Sequence, residues 1–395
     1  MFEGITGDAS RRDVVKATAV GVGASLGLVG TVSATEDVVE FDESITITPE
    51  DSGTTFVQTD DFNGEVNIRP GVEDVTVDGN GFTITGGNVG GGEYLGSSIT
   101  DLTLRNLHLP NGSVSVSGVS GLVLRNNVIR YFGSDEANGV RAVNNTVARG
   151  FELFENQADN VFWRNVAEYI TLYDDLAGDH RISTNVITGA TGMGGISVQV
   201  TNAFDGRMQI VDNYISNSNG AGIYLEDAFR LNPEINGNVI VGNGGDGIES
   251  GLAESLIGNM FVGNGGDGVG GELGSSVGTL AKNVAVSNDG VGFDVGVTHE
   301  CQRNVAVSNG GDGFQVRSTG AKVKFNRATG NDGNGFVLEG SGFPFRKNEI
   351  TANGGDGVVI DAADIGVTRN RICANDGEEL VDNGDENGFA NNLVY

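Results

Sequence analysis

Apolar and polar positions along this chain repeat in columns. With Asn238 as position zero, the same asparagine returns at Asn259, Asn283, Asn304, Asn326, Asn348 and Asn370. Three residues before it stand Ile235, Leu256, Leu280, Cys301, Val323, Phe345 and Val367, and two after it Ile240, Phe261, Ala285, Ala306, Ala328, Ile350 and Ile372. Ten after it stand Ile248, Val269, Phe293, Phe314, Phe336, Val358 and Leu380. Within each block the apolar residues alternate with polar ones over short runs, which predicts β-strands; no apolar series at helical spacing lasts long enough for a helix.

The asparagines are spaced 21, 24, 21, 22, 22 and 22 residues apart, and a second asparagine follows each by five. Asn392 continues the column downstream; Asn213, Asn185, Asn165, Asn145, Asn127, Leu107 and Asn80 continue it upstream. A period near 22 without a leucine framework excludes leucine-rich repeats, and the lack of helical periodicity excludes a helical solenoid. What remains is an all-β fold, a single right-handed parallel β-helix of about 14 to 15 coils in which each column becomes a ladder along one core. Each asparagine then sits one coil, about 4.8 Å, from the next, within reach of an amide–amide hydrogen bond.

Corners between strands carry the runs "GNGGDGI", "GNGGDGV" and "SNGGDGF". The last glycine of each run, such as Gly247, Gly313 or Gly335, is expected to supply a positive φ or a tight bend. The aspartates lack the nonapeptide spacing of calcium-binding rolls, so the GGDG runs read as turns. This coil pattern and the opening segment "VEDVTVDGNGFTITG" resemble those of the right-handed parallel β-helix proteins of the pectin-lyase-like superfamily. The resemblance covers almost the whole chain after residue 34. It implies a fold shared by polysaccharide lyases, epimerases and a family linked to copper-enzyme maturation, and does not choose among them.

The first 34 residues read differently. Arg11–Arg12, Lys16, an apolar stretch from about Ala17 to Val32 and the small-residue exit Val32-Ser33-Ala34 resemble a twin-arginine export signal. The expected organisation is export signal 1–34, N-terminal cap and opening strands 35–72, and β-helix 73–395. The expected location is outside the cell or on its surface, with no stable membrane span and a monomeric state. Composition adds one constraint. Acidic residues outnumber basic ones 53 to 23, a net charge of −30, which repels nucleic acid and fits a protein from concentrated salt.

Chemistry is expected where the repeat is broken. Coils from Asn127 to Asn238 have spacings of 18, 20, 20, 28 and 25, and they hold the single Trp, Trp163, together with Tyr131, Tyr169, Tyr173, Tyr214 and Tyr224. Counting ten back from Asn145, Asn165 and Asn185 reaches Asp135, Glu155 and Asp175, a candidate carboxylate column for a metal, with calcium the expected cation. Arg141 and Arg181 stand four before the same asparagines, with His180 adjacent. Acid, base and cation together would resemble the working parts of a β-helix polysaccharide lyase or epimerase acting on uronate-rich polymer: Arg181, His180 and Arg141 catalytic, Trp163, Tyr169 and Tyr173 holding sugar. The alternative is a non-catalytic surface or adhesion module that binds glycan or protein. Copper handling is disfavoured by 3 His, 4 Met and 2 Cys without paired spacing. A basic column, Lys282, Arg303, Lys347 and Arg369, flanked by Lys324, Arg346, Arg327 and Arg371, is expected to pair with acids of neighbouring coils.

Overall fold

The computed structural model describes residues 37–91, 98–155, 157–200, 204, 206–226, 233–250, 252–270 and 276–395. The export-signal reading falls on residues outside this set. The described chain is all-β apart from one short 3-10 turn, Pro49–Asp51, and forms a single parallel solenoid of about 15 coils. Every strand pairing is parallel and joins a strand to its counterpart one coil away, as Leu104↔Leu124↔Ala142↔Phe162↔Ile182 illustrates. The ladder already includes Asp37–Phe41, paired with Thr54–Gln58, so stacking starts well before residue 73.

Each coil contributes to three sheets. The first holds strands that precede the ladder asparagine, such as Arg141–Val143, Val161–Trp163 and His180–Ser183. The second follows the asparagine directly, as in Val239–Val241 and Met260–Val262. The third carries the apolar residue ten further on, as in Phe314–Thr319 and Phe336–Ser341. In the irregular coils the second and third strands run together as Val128–Asp135, Thr146–Phe154 and Val166–Tyr173, bent by register shifts.

The apolar columns meet in one continuous core. Phe293, Phe314 and Phe336 stack along the axis with centroids 5.0 and 4.3 Å apart. Burying such a ring stabilises the fold by roughly 2 to 3 kcal/mol. Gly313 is required by close approach rather than by a positive φ: a Cβ there would lie 2.7 Å from the carbonyl oxygen of Gly335 one coil away. The corner is tight because the coils are.

The asparagines are buried and satisfy one another. Asn304 Nδ2 donates to Asn326 Oδ1 at 3.0 Å and to the Leu280 carbonyl at 2.9 Å. Its backbone N–H reaches the same Asn326 oxygen at 3.0 Å. The pattern runs from Asn127 to Asn392, and a parallel ladder runs from Asn243 to Asn375. A buried amide is costly unless all its donors and acceptors are used; here each is used by the neighbouring coil. The residue before the ladder asparagine is left-handed in coil after coil, for example Asn126 (φ 56°), Asn144 (φ 55°) and Asp212 (φ 55°), and that single residue turns the first sheet into the second. Cys301 and Cys373 are both buried free thiols, and burial pushes the Cys301 thiol up to about 12.

Candidate functional site

Three successive coils in the irregular region gather aromatic rings around one carboxylate. Tyr131 and Tyr169 both donate their phenolic O–H to Glu152, at 2.8 and 2.6 Å, one to each carboxylate oxygen. Two residues along the same strand, Phe154 lies against Tyr173 of the next coil, centroids 5.1 Å apart and planes 8° from parallel. All five side chains are half-buried on the outward side of the third sheet.

Local sequence explains the arrangement. Val147 to Phe151 spans one residue more than its partner Ile129 to Phe132, and this shift bends the strands at the tyrosines. Glycines make the room: a Cβ on Gly133 would sit 2.6 Å from the Tyr131 hydroxyl oxygen, and one on Gly150 would sit 2.5 Å from the Tyr169 ring. Partial burial, and then the hydrogen bond to Glu152, hold both phenols well above the ordinary phenol range. They are donors at neutral pH. Arg149 opposes the shift at Tyr169, and Asp135 adds to it at Tyr131.

The expected carboxylate column does not form. Asp135 pairs with Phe154, so the residue in register with Glu155 is Glu136. Leu153 pairs with Leu172, which places Asp174 rather than Asp175 in that slot on the next coil. Glu136, Glu155 and Asp174 share a left-handed conformation, φ 54°, 51° and 69°. The count of ten failed because the slot lies 9, 10 and 11 residues before Asn145, Asn165 and Asn185. Asp135, Glu155 and Asp175 therefore occupy three different register positions. Among the described residues no three His, Cys, Asp or Glu side chains are grouped to hold a metal.

The expected catalytic residues also separate. Arg141 and Arg181 share a column on the first sheet, one on each side of Val161, as their spacing predicts. His180 precedes Arg181 in the same strand, and strand alternation sends it inward: it is 1% exposed, its ring 6.0 Å from Phe204. Neither ring nitrogen has a partner in hydrogen-bonding geometry, and the nearby Ala177 carbonyl opposes the shift only in part, so burial lowers the imidazole to about 4. His180 is a neutral core residue with no access to a groove lined by Arg181.

Trp163 lies on the first sheet, 38% exposed, with the Arg164 guanidinium 4.2 Å over its ring. Tyr169 and Tyr173 lie on the third sheet, so the expected sugar-holding trio is divided between two faces. Glu152 and Phe154 were not singled out by sequence. The available signal was the pair of glycines, Gly133 and Gly150, set beside tyrosines of their own or the next coil.

The sequence of the C-terminal coils supports the geometry. Residues 273–395 match the family model described as the right handed beta helix region. The chain is a parallel β-helix. No curated protein matches it. Among solved structures, a variant of the periplasmic alginate epimerase AlgG is 12% identical, covering 90% of this chain and 79% of that one, with a TM-score of 0.38. The A-module of the Azotobacter vinelandii mannuronan C-5 epimerase AlgE6 is 13% identical, covering 87% and 90%, with a TM-score of 0.23. PfbA, a surface adhesin of Streptococcus pneumoniae, is 9% identical, covering 91% and 84%, with a TM-score of 0.27. At such identities and TM-scores these likenesses carry no statement about activity. Among the described residues no helix is long and apolar enough to cross a membrane.

Proposed function

We propose that this chain is an exported β-helix protein that binds polysaccharide, with the face around Glu152 as its sugar-holding surface. The observation that carries the reading is the cluster of half-buried rings, Tyr131, Tyr169, Phe154 and Tyr173, around a carboxylate on three adjacent coils. Sugar rings have apolar faces that pack on aromatic side chains and hydroxyls that donate to carboxylates. Each Glu152 oxygen accepts one phenol and keeps a further lone pair for a sugar hydroxyl.

Binding is favoured over cleavage. Lyase or epimerase chemistry needs an acid, a base and a cation converging on one sugar. Here the imidazole is in the core, Arg141 and Arg181 are on another sheet, and the phenols are held protonated at neutral pH. The catalytic reading keeps one foothold: Glu152 would accept the proton of Tyr169 while that phenol took one from the sugar.

Incubation of the purified chain with a panel of neutral and acidic polysaccharides, followed by affinity electrophoresis and absorbance at about 235 nm, where unsaturated uronates absorb, separates the two. Retardation without new absorbance, weakened by Glu152→Ala or Tyr173→Ala, supports binding. New absorbance that Tyr169→Phe abolishes would establish a lyase. Retardation indifferent to all three substitutions would remove this face from the proposal.

A further inference from the structure

Part of the basic column pairs as its sequence suggested, Lys324 with Glu300 and Arg371 with Glu349, and the four cations of the slot before the asparagine do not. From residue 282 the slot before the ladder asparagine holds Lys282, Arg303, Phe325, Lys347 and Arg369, all left-handed, with φ between 56° and 59°. In other coils Asn126, Asn144, Asp212 and Asn391 fill the same slot, as do Gly237 and Gly258, and Arg164 and Thr184 stand there singly. A long or aromatic side chain costs about 1 kcal/mol or more in this conformation, and Asn or Gly would meet the backbone's need. Five consecutive coils thus accept a strain that the fold does not require.

The side chains gain nothing from the core in return. Phe325 is 44% exposed, with the Arg303 guanidinium 5.9 Å and the Lys347 ammonium 5.1 Å from its ring centre. Among the described residues none of Lys282, Arg303, Lys347 and Arg369 makes an ion pair. The acids of that corner are already engaged, Glu300 with Lys324 and Lys322 at 3.0 and 3.9 Å, and Glu349 with Arg371 at 2.9 Å. Arg346 and Arg327 flank the row and are exposed. A chain of net charge −30 therefore carries a row of cations around one exposed ring, without ion-pair partners among the described residues. Arg303 is felt by Glu300 only after Lys324 and Lys322.

We propose that this ridge docks an acidic polysaccharide lying parallel to the solenoid axis. Stacked coils are about 4.8 Å apart, so a linear polyanion laid along the axis meets a cation at four of the five slots. Phe325, flanked by cations, offers its ring to the apolar face of the sugar between them. Nucleic acid fits less well, since single-strand binding stacks successive bases on successive aromatic rings and the five slots hold one, Phe325. This inference goes beyond the aromatic face: it names the polymer's charge and a second, separate place for it to lie.

The test uses the full chain and polygalacturonate, with single-stranded DNA and a neutral dextran as comparison probes. In the ridge variant Lys282, Arg303, Lys347 and Arg369 each become Asn, which the backbone accepts at Asn126 and Asn144. A control variant with Arg69, Arg125, Arg141 and Arg207 each changed to Gln makes the same change in net charge on other surfaces. Circular dichroism checks that both fold. Polygalacturonate binding at low salt should weaken roughly a hundredfold in the ridge variant, four exposed ion pairs each contributing a factor of about three, and its salt dependence should flatten. The control should change by less than about threefold, and Phe325→Asn should weaken binding by about fivefold. Equal losses in ridge and control variants, no loss in either, or DNA bound as tightly as polygalacturonate would overturn the proposal. The Glu152 and Tyr173 substitutions leave the ridge intact, so their effects bear on the aromatic face alone.

Discussion

The Asp312 carboxylate accepts the backbone N–H of Asn334, one coil further along, at 2.6 Å, and the Asn334 side-chain oxygen accepts the N–H of Asp356 at 2.8 Å. Aspartate and asparagine thus do the same work in the GGDG corner, which needs an acceptor and no charge. Asp312→Asn should change stability by less than about 0.5 kcal/mol, and Asp312→Ala should cost about 1 to 2 kcal/mol by leaving a backbone donor without its partner. Phe314→Ala, two residues on, should cost about 3 to 5 kcal/mol. Urea unfolding of the three variants checks the order; calcium that stabilised the wild type but not Asp312→Ala would return the corner to the cation-binding class.

Asn304 gives the ladder a comparable test. Its oxygen accepts both the backbone N–H and the Nδ2 of Asn283, at 2.9 and 3.0 Å, so Asn304→Ala strands two buried donors at once. The expected loss is about 3 kcal/mol or more, read as a fall in the urea midpoint. Asn304→Asp should also destabilise, since a buried carboxylate would replace an amide that donates to Asn326. A midpoint unmoved by either change would mean that the ladder is ornamental.

His180 makes stability depend on pH. Its folded value near 4 lies below the ordinary 6.5, so the unfolded chain takes up a proton first as pH falls. The neutral-imidazole contribution is whole above about pH 6.5 and is lost progressively toward pH 4, up to about 3 kcal/mol. Asp267 acts in the opposite sense: burial holds its carboxyl up to about 6, so it adds stability as pH falls through that value. Comparing wild type with His180→Met removes the Asp267 effect, and Met208 already fills the same column one coil away. The Tm difference between the two proteins should shift in favour of the variant between pH 7 and pH 4. Parallel curves would contradict a buried neutral His180.

The phenols of Tyr131 and Tyr169 should titrate late. Alkaline difference absorbance near 295 nm should show these two ionising well above the ordinary phenol value of about 10 or only on unfolding, with Tyr173 moved in the same direction by burial. Glu152→Gln should bring those two part of the way back, because burial, the larger cause, remains. Full ionisation at pH 10 in the wild type would mean that the cluster is open to water.

The sequence by itself determined the architecture. Columns of Ile, Val, Phe and Asn at a period near 22 leave few folds able to bury them, since each position must face the same neighbour coil after coil. Cys301 in an apolar column could be read as a buried thiol, and Arg141 and Arg181 as two coils apart, because those positions are counted across short, regular turns. Register across an irregular turn was another matter. One residue more or less before Asn145, Asn165 and Asn185 put Asp135, Glu155 and Asp175 in three different slots and brought Glu136, Glu155 and Asp174 into one. Alternation within a strand then decided that His180 faces the core while Arg181 faces solvent. Only the tertiary structure could show that Tyr131 and Tyr169, 38 residues apart in sequence, meet on Glu152. The physical reason is that a repeat dictates which residues stack only where its length is constant, and the side-chain period of two in a β-strand turns a one-residue change in turn length into a change of face.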